Sequence, residues 1–350
     1  MKILHTADIH LKDYQDERWK TLQRLIEIAR EEEVGIFVIS GDLFDHDIDG
    51  DALRPEIRGL FSNNRFKVIL IPGNHDIESY AGGEYLGEDV VKLTDLKEPY
   101  NYEDLSIWGL PFENIEGEQI LRKLDWLADN LEKGKKNILL FHGELLDAFF
   151  RRKDFGSEGE GRYMPVKLSY FKGLNLDYVL AGHFHSKFRV WEIENGGYFV
   201  YPGSPVSITK RETGRRKINI FEPGKTPGEY SLDTPHFEEV DIELDPFKDD
   251  DPLKMITRRL EEIHHGARVI LRISGFIDSR KINLNETELA GEISKISEGK
   301  VFEKNLEFRD INTFESALFE DFRNKLEGKG FDEVKKKDLL NLTLRAMMRG

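Results

Sequence analysis

The residues most able to do chemistry in this chain are carboxylates, an asparagine and histidines, each sitting directly after a short apolar run. They are Asp8 and His10; Asp42; Asn74, His75 and Asp76; His142; and His183 and His185. Taken together, Asp8, His10, Asp42, Asn74, His142, His183 and His185 form a donor set of nitrogen and oxygen with no sulfur. That is too many donors for one tetrahedral zinc. If Asp42 bridges, the seven serve two ions and leave positions for water and substrate. Paired ions of this kind clamp the attacking and leaving oxygens of an in-line displacement at phosphorus. Imidazole mixed with carboxylate and an amide oxygen suits manganese or iron, with zinc left open. His75 lies beside Asn74 and belongs to the same constellation.

The elements that must position these groups read as strands. Lys2–Thr6, Phe37–Ile39, Val68–Ile71, Ile138–Phe141 and Tyr178–Leu180 are apolar runs of strand length that stop at a polar cluster. Ligand-binding residues of open α/β sheets collect at the carboxyl ends of parallel strands. Any one of these motifs alone would more often be turn chemistry or a cap. Five in succession point to a metal site built from strand ends. Between them, Glu17–Glu33, Asp51–Phe61 and Glu118–Leu131 carry apolar residues at helical spacing. Ile77–Asn101 shows no clear period, only a glycine-containing loop with short helical pieces. Strands then crowd together (Leu105–Leu110, Phe188–Trp191, Tyr198–Tyr201, Ile218–Phe221), which implies a layered α/β sandwich.

With 350 residues, the chain exceeds what a single core usually holds, roughly 250–300 residues. Glu222–Pro235, with three prolines and two glycines, is the expected linker. After it the pattern restarts as a small α+β domain, and Thr313–Gly350 is helical with a break at Gly328–Gly330. No apolar run reaches membrane-spanning length, so no membrane association is expected. The chain begins directly in a strand, so no signal peptide is expected, and it holds no cysteine. A cytoplasmic location fits these features. The net charge of -15 argues against indiscriminate nucleic-acid binding. Two local basic groups nevertheless stand out as a phosphate track or a solvated face: Arg151–Lys153, and Lys210, Arg211, Arg215, Arg216 and Lys217 around a single Glu212.

The motifs Asp8-Ile9-His10, Gly41-Asp42, Gly73-Asn74-His75-Asp76, His142 and Gly182-His183-Phe184-His185 together resemble the calcineurin-like metallophosphoesterase signature, over the first two-thirds of the chain. His5–Leu11, Gly41–Asp45 and Tyr201-Pro202-Gly203-Ser204-Pro205 are similar to the SbcD-type nucleases, prokaryotic relatives of the meiotic-recombination-eleven nuclease of double-strand-break repair. The resemblance implies an αββα sandwich over 1–235, a capping and DNA-contact α+β domain over 236–310, and a partner-binding helical hairpin over 311–350. It implies that Asp8, His10 and His185 hold one ion, that Asn74, His142 and His183 hold the other, and that Asp42 lies between. His75 would act on the leaving oxygen, with Asp76 behind the ligands. Where many relatives carry a second catalytic histidine, this chain has Asp45, with His46 beside it.

The implied activity is a manganese-dependent DNA exonuclease on duplex ends and endonuclease on single strands or hairpins. The implied partners are DNA, a second copy of the chain, and an SbcC-type coiled-coil ATPase. That ATPase would be gripped by the apolar stripes Phe314, Leu318, Phe322 and Leu326, and Leu340, Leu344, Met347 and Met348. The competing expectation is a metallophosphoesterase acting on a small phosphodiester, which would need neither cap nor tail, or on a lipid-linked one, which would want an exposed amphipathic face for the membrane.

Overall fold

The computed structural model describes residues 1–46, 50–80, 85–148, 163–248, 250–313 and 317–348. The basic group Arg151–Lys153, Phe314 and the side chains of Leu318, Met347 and Met348 fall outside the described residues. The chain divides into two compact units, Met1–Phe237 and Glu238–Gly350.

The first unit opens with β1 (Lys2–Thr6), α1 (Glu17–Glu31), β2 (Val34–Ser40), α2 (Gly50–Leu60), β3 (Lys67–Ile71) and β4 (Val90–Lys92). It continues through β5 (Tyr100–Tyr102), β6 (Leu105–Leu110), α3 (Glu118–Asn130), β7 (Lys136–His142) and β8 (Tyr178–Gly182). It finishes with β9 (Arg189–Glu192), β10 (Tyr198–Tyr201), β11 (Lys217–Phe221) and β12 (Glu229–Ser231). Two six-stranded sheets result, in the orders β12-β11-β1-β2-β3-β4 and β5-β6-β7-β8-β10-β9. Alternate side chains of each strand point to opposite faces. Ile3, Ile36, Val38 and Ile69 meet Ile107, Ile138, Leu140 and Leu180 between the sheets. The opposite faces, carrying Leu4, Phe37 and Leu70 on one sheet and Leu139, Phe141 and Val179 on the other, pack with residues of the flanking helices. The expected layered sandwich is the observed fold.

Sequence explains the helices directly. α1 starts at Asp16, whose carboxylate accepts the Trp19 N–H at 2.8 Å, and buries Trp19, Leu22, Leu25, Ile26 and Ala29. Each fully buried aliphatic side chain of this kind contributes roughly 1.5–3 kcal/mol. Because α1 and α2 cross over between parallel neighbours, β1, β2 and β3 all end at the same edge of their sheet.

The expected linker is corrected. Within Glu222–Pro235, β12 pairs antiparallel with β11, and Leu232 is fully buried in the core. Its prolines and glycines make a hairpin connection rather than a flexible joint. β4 and β5 were not legible, since each is three residues long and only partly buried.

The second unit holds β13 (His236–Leu244, which begins at the boundary), α4 (Pro252–Glu261), β14 (Ala267–Ile277), α5 (Ser279–Ile282), α6 (Glu286–Ile296) and β15 (Val301–Asp310). A helical pair follows, α7 (Ala317–Glu327) and α8 (Glu333–Met348). Its three-stranded sheet runs β13-β14-β15. Phe319 and Leu326 of α7 and Leu340 and Leu344 of α8 cluster with Phe276, Phe247 and Ile311. The described part of the apolar stripes therefore faces its own unit, while Val334 and Leu342 are 71% and 62% exposed. Among the described residues, no helix is long and apolar enough to cross a membrane.

Candidate metal centre

The loops after β1 and β2 are tied backbone to backbone. Asp8 N–H donates to Gly41 O at 3.1 Å, and the Ile9 and His10 N–H groups donate to Asp42 O at 2.9 and 3.0 Å. To turn this tightly, Asp8, His10 and Asp42 adopt left-handed φ values of 56°, 51° and 53°, and His183, after β8, has φ 98°. Such conformations cost on the order of 1–3 kcal/mol each in a non-glycine residue and collect at functional sites. Two glycines make room. Gly73 carries no Cβ because one would strike the Asp42 carboxylate, and Gly41, at φ 92°, lies against the His142 ring.

All seven expected ligands come together at these strand ends. His10 Nε2 and His185 Nε2 face each other at 3.2 Å, with Asp8 Oδ1 3.9 Å from His185 Nε2. Asn74 Oδ1 lies 2.9 Å from His142 Nε2 and 3.2 Å from His183 Nδ1. Asp42 Oδ2 stands between the two groups, 3.6 Å from His10 Nε2 and 3.4 Å from His142 Nε2. Its other oxygen accepts the His75 backbone N–H at 2.9 Å, whereas buried Oδ2 makes no hydrogen bond. Donor atoms of Asp8, His10 and His185, and of Asp8, Asp42 and His142, all lie within 4.8 Å of one another within each trio. Buried lone-pair donors converging in this way fit divalent cations. The Ser40 carbonyl, which can only accept, takes the His142 Nδ1 proton at 2.8 Å. That hydrogen bond leaves Nε2 turned toward the cluster as the nitrogen that could face a cation.

Charge follows from burial and proximity. Burial alone would lower the His142 pKa, but the adjacent Asp42 carboxylate outweighs it and lifts it to about 9. Burial works against ionised Asp42, yet His142 and His10 hold it well below the usual carboxylate range. Asp76 is pushed up to about 7 by burial, with Asp42 adding to it. Its oxygens accept N–H groups from Leu43 at 2.8 Å, Phe44 at 3.2 Å and Gly73 at 2.7 Å. Asp76 thus fastens the β2 and β3 loops together behind the donors.

His75 stands beside this set. Its Nδ1 is 3.2 Å from Asp45 Oδ1, and the Asp45 Oδ2 accepts from Arg18 at 2.7 Å. The His46 ring stacks on His75 at 3.6 Å between centroids. Asp45, which in the sequence is only a departure from the family pattern, is therefore the partner of His75, and Arg18 carried no motif signal at all. The grouping of Arg216 with the surface bases is also corrected. Arg216 is buried and donates to the backbone oxygens of Ser204, Glu212 and His185. Ser204 in turn donates to the Asp8 carbonyl at 2.8 Å. One acid among five bases was the available clue to this arrangement.

Residues 1–187 match the calcineurin-like phosphoesterase family. The chain is 26% identical over 271 residues to the DNA double-strand break repair protein Mre11 of Saccharolobus solfataricus, covering 71% of this chain and 65% of that protein. It is 27% identical over 265 residues to the protein of the same name from Sulfurisphaera tokodaii, covering 69% and 63%. The chain thus spans less than two-thirds of the length of either relative. A solved structure of the TT1561 protein of Thermus thermophilus aligns with TM-score 0.43 and 14% identity, covering 62% of this chain and 92% of that one. With more than half of its length matched, and with the donor set of its strand ends in place, the chain belongs to the calcineurin-like phosphoesterase family.

Proposed function

We propose that this chain is a two-metal DNA nuclease that hydrolyses phosphodiester bonds at duplex ends and in single strands or hairpins. The observation that carries the reading is the position of Asp42 Oδ2, buried without a hydrogen bond between His10 and His142. Similarity to the two Mre11 proteins supports DNA as the substrate.

In this reading Asp8, His10 and His185 hold one divalent cation and Asn74, His142 and His183 the other, with Asp42 shared and manganese the resident metal. Bound there, the cations would neutralise the phosphate and stabilise charge developing on its oxygens. The remaining work falls to His75. Asp45 accepts the Nδ1 proton and favours the doubly protonated imidazolium, whose Nε2–H would pass to the departing sugar oxygen and leave His75 neutral with its hydrogen on Nδ1. Arg18 holds Asp45 in place. The strained loops hold the donors in their converged positions before substrate arrives.

The domain roles belong to the same proposal: catalysis in 1–235, capping and DNA backbone contact in 236–310, and partner binding in 311–350. A coiled-coil ATPase partner would meet the face of the C-terminal helices that carries exposed Val334 and Leu342. A second copy of the chain would complete the assembly. The deciding experiment incubates purified protein with labelled linear duplex, hairpin and single-strand DNA, in manganese, magnesium or chelator. Cleavage in manganese that chelator abolishes is the expected result. Hydrolysis of a small chromogenic phosphodiester with no DNA substrate cut would overturn the nuclease reading.

A further inference from the structure

Glu212 is fully buried, and its Oε1 lies 3.5 Å from His185 Nδ1. That ring nitrogen is itself buried and makes no hydrogen bond. The backbone around His185 is already fixed. Its carbonyl accepts from Arg216 and from the Ser204 N–H, the latter at 2.9 Å. What this clamp leaves undetermined is the rotation of the imidazole about its Cα–Cβ and Cβ–Cγ bonds. We infer that Glu212 is the positioning residue that sets this rotation, turning Nε2 of His185 toward Asp8 and His10 by drawing on the Nδ1 proton. The inference rests on the metal-binding part of the function proposed above, and on none of its substrate claims.

The physical logic is that of a carboxylate behind a ligating histidine. A carboxylate can only accept, so it selects the tautomer with hydrogen on Nδ1 and leaves the Nε2 lone pair for the ion. Burying an ionised carboxylate is costly without compensation. Arg216 supplies an opposite charge in the same buried region, and the Ile208 N–H, Thr209 N–H and Thr209 hydroxyl donate to Glu212 at 2.9, 3.2 and 3.2 Å. Those same bonds make a rival explanation concrete. Glu212 could serve only as a brace that folds residues 208–212, with no role toward the ion.

The two are separated by calorimetric titration of manganese into the metal-free full chain. Wild type is compared with Glu212→Ala, Glu212→Gln and Thr209→Val, and the melting temperature of each metal-free protein is recorded. Glu212→Ala is expected to weaken one of the two ions by roughly 10–100-fold and leave the other near its wild-type affinity. Glu212→Gln, which still accepts from Nδ1 but carries no charge, should fall between. Thr209→Val removes one donor to the Glu212 carboxylate and loosens the loop but leaves the charged carboxylate behind His185, and should keep both affinities near wild type. Wild-type affinities in Glu212→Ala, or a loss in Thr209→Val equal to that in Glu212→Ala, would overturn the inference in favour of the brace. If Glu212→Ala does not fold, equal affinities in Glu212→Gln and Thr209→Val would overturn it. A wild-type protein that takes up no manganese would defeat the metal reading itself, and this inference with it.

Discussion

Asp45 and His75 form an acid–imidazole pair at 3.2 Å, with the Asp45 carboxylate held well below its ordinary range. Burial opposes that ionisation, and the neighbouring His10 ring together with hydrogen bonds to His75 and Arg18 overcomes it. If His75 works through this pair, His75→Ala should lower the DNA cleavage rate by about 10²–10⁴-fold while metal content stays unchanged. Asp45→Asn should lower it less. The double variant should be no slower than His75→Ala, because groups acting as one unit are not additive. Single-turnover rates with manganese check this, and fully additive losses would show the two residues acting separately.

Asp42 offers a second test. Since its Oδ2 faces both donor groups, Asp42→Ala should lose both ions rather than one. Gly73→Ala should do the same indirectly, by driving a methyl group into the Asp42 carboxylate. Elemental analysis of the two purified variants reads this directly. Full occupancy in Asp42→Ala would remove the shared-ligand role.

The basic residues around Glu212 should separate into two classes. Lys210, Arg211 and Arg215 are exposed, whereas Arg216 is buried against the His185 and Ser204 carbonyls. Neutralising Lys210 and Arg211 should reduce the salt dependence of DNA binding by a slope of roughly 0.9 for each phosphate no longer neutralised. It should leave hydrolysis of a small phosphodiester unchanged. Arg216→Ala should instead lower thermal stability and impair both substrates alike.

Acid stability carries a specific signature from His5. This residue is fully buried in β1, and burial lowers its imidazole to about 3. Between about 3 and the ordinary value of 6.5, the unfolded chain binds a proton at His5 that the native chain does not. Stability therefore rises with pH across that window and falls as pH drops through it, by about 1.4 kcal/mol per unit. His5→Leu should flatten the acid limb by one proton. Urea midpoints measured at pH 5 and pH 7.5 give the comparison, and an unchanged difference between them would exclude His5.

The C-terminal helices can be separated into a face that stabilises and a face that is available. Removing residues 314–350 would uncover Phe276 and Phe247, so the truncated chain should melt at lower temperature. Val334→Asp with Leu342→Asp should leave the melting temperature within experimental error but abolish co-purification with a coiled-coil ATPase. Retained co-purification would move the partner surface elsewhere.

The strand-end motifs were legible because a run such as Val68–Ile71 followed by Gly73-Asn74-His75-Asp76 carries both its element and its chemistry in contiguous residues. The residues that the fold gathers at the strand ends are therefore the ones that the contiguous motifs single out. What lay beyond the strand ends depended on distance in the chain. Arg18 reaches Asp45 from α1, and Glu212 reaches His185 across 27 positions, so no local spacing announces either contact. Arg216 was misassigned for a related reason. Composition places it among surface cations, and only the folded chain shows three backbone carbonyls around it. β12 was hidden because Pro and Gly are common to hairpins and linkers alike.

The left-handed backbone at Asp8, His10, Asp42 and His183 sets the protein's mutational drift. Glycine at any of these positions would relieve strain and, at Asp8 or Asp42, remove a buried carboxylate as well. Set against that relief is the loss of the acceptor for the His75 N–H at Asp42 or for the His183 N–H at Asp8, so inactive copies would fold about as well as active ones and still occupy whatever surface the active protein docks on. A screen that scores only soluble expression would not tell such lineages from the active ones.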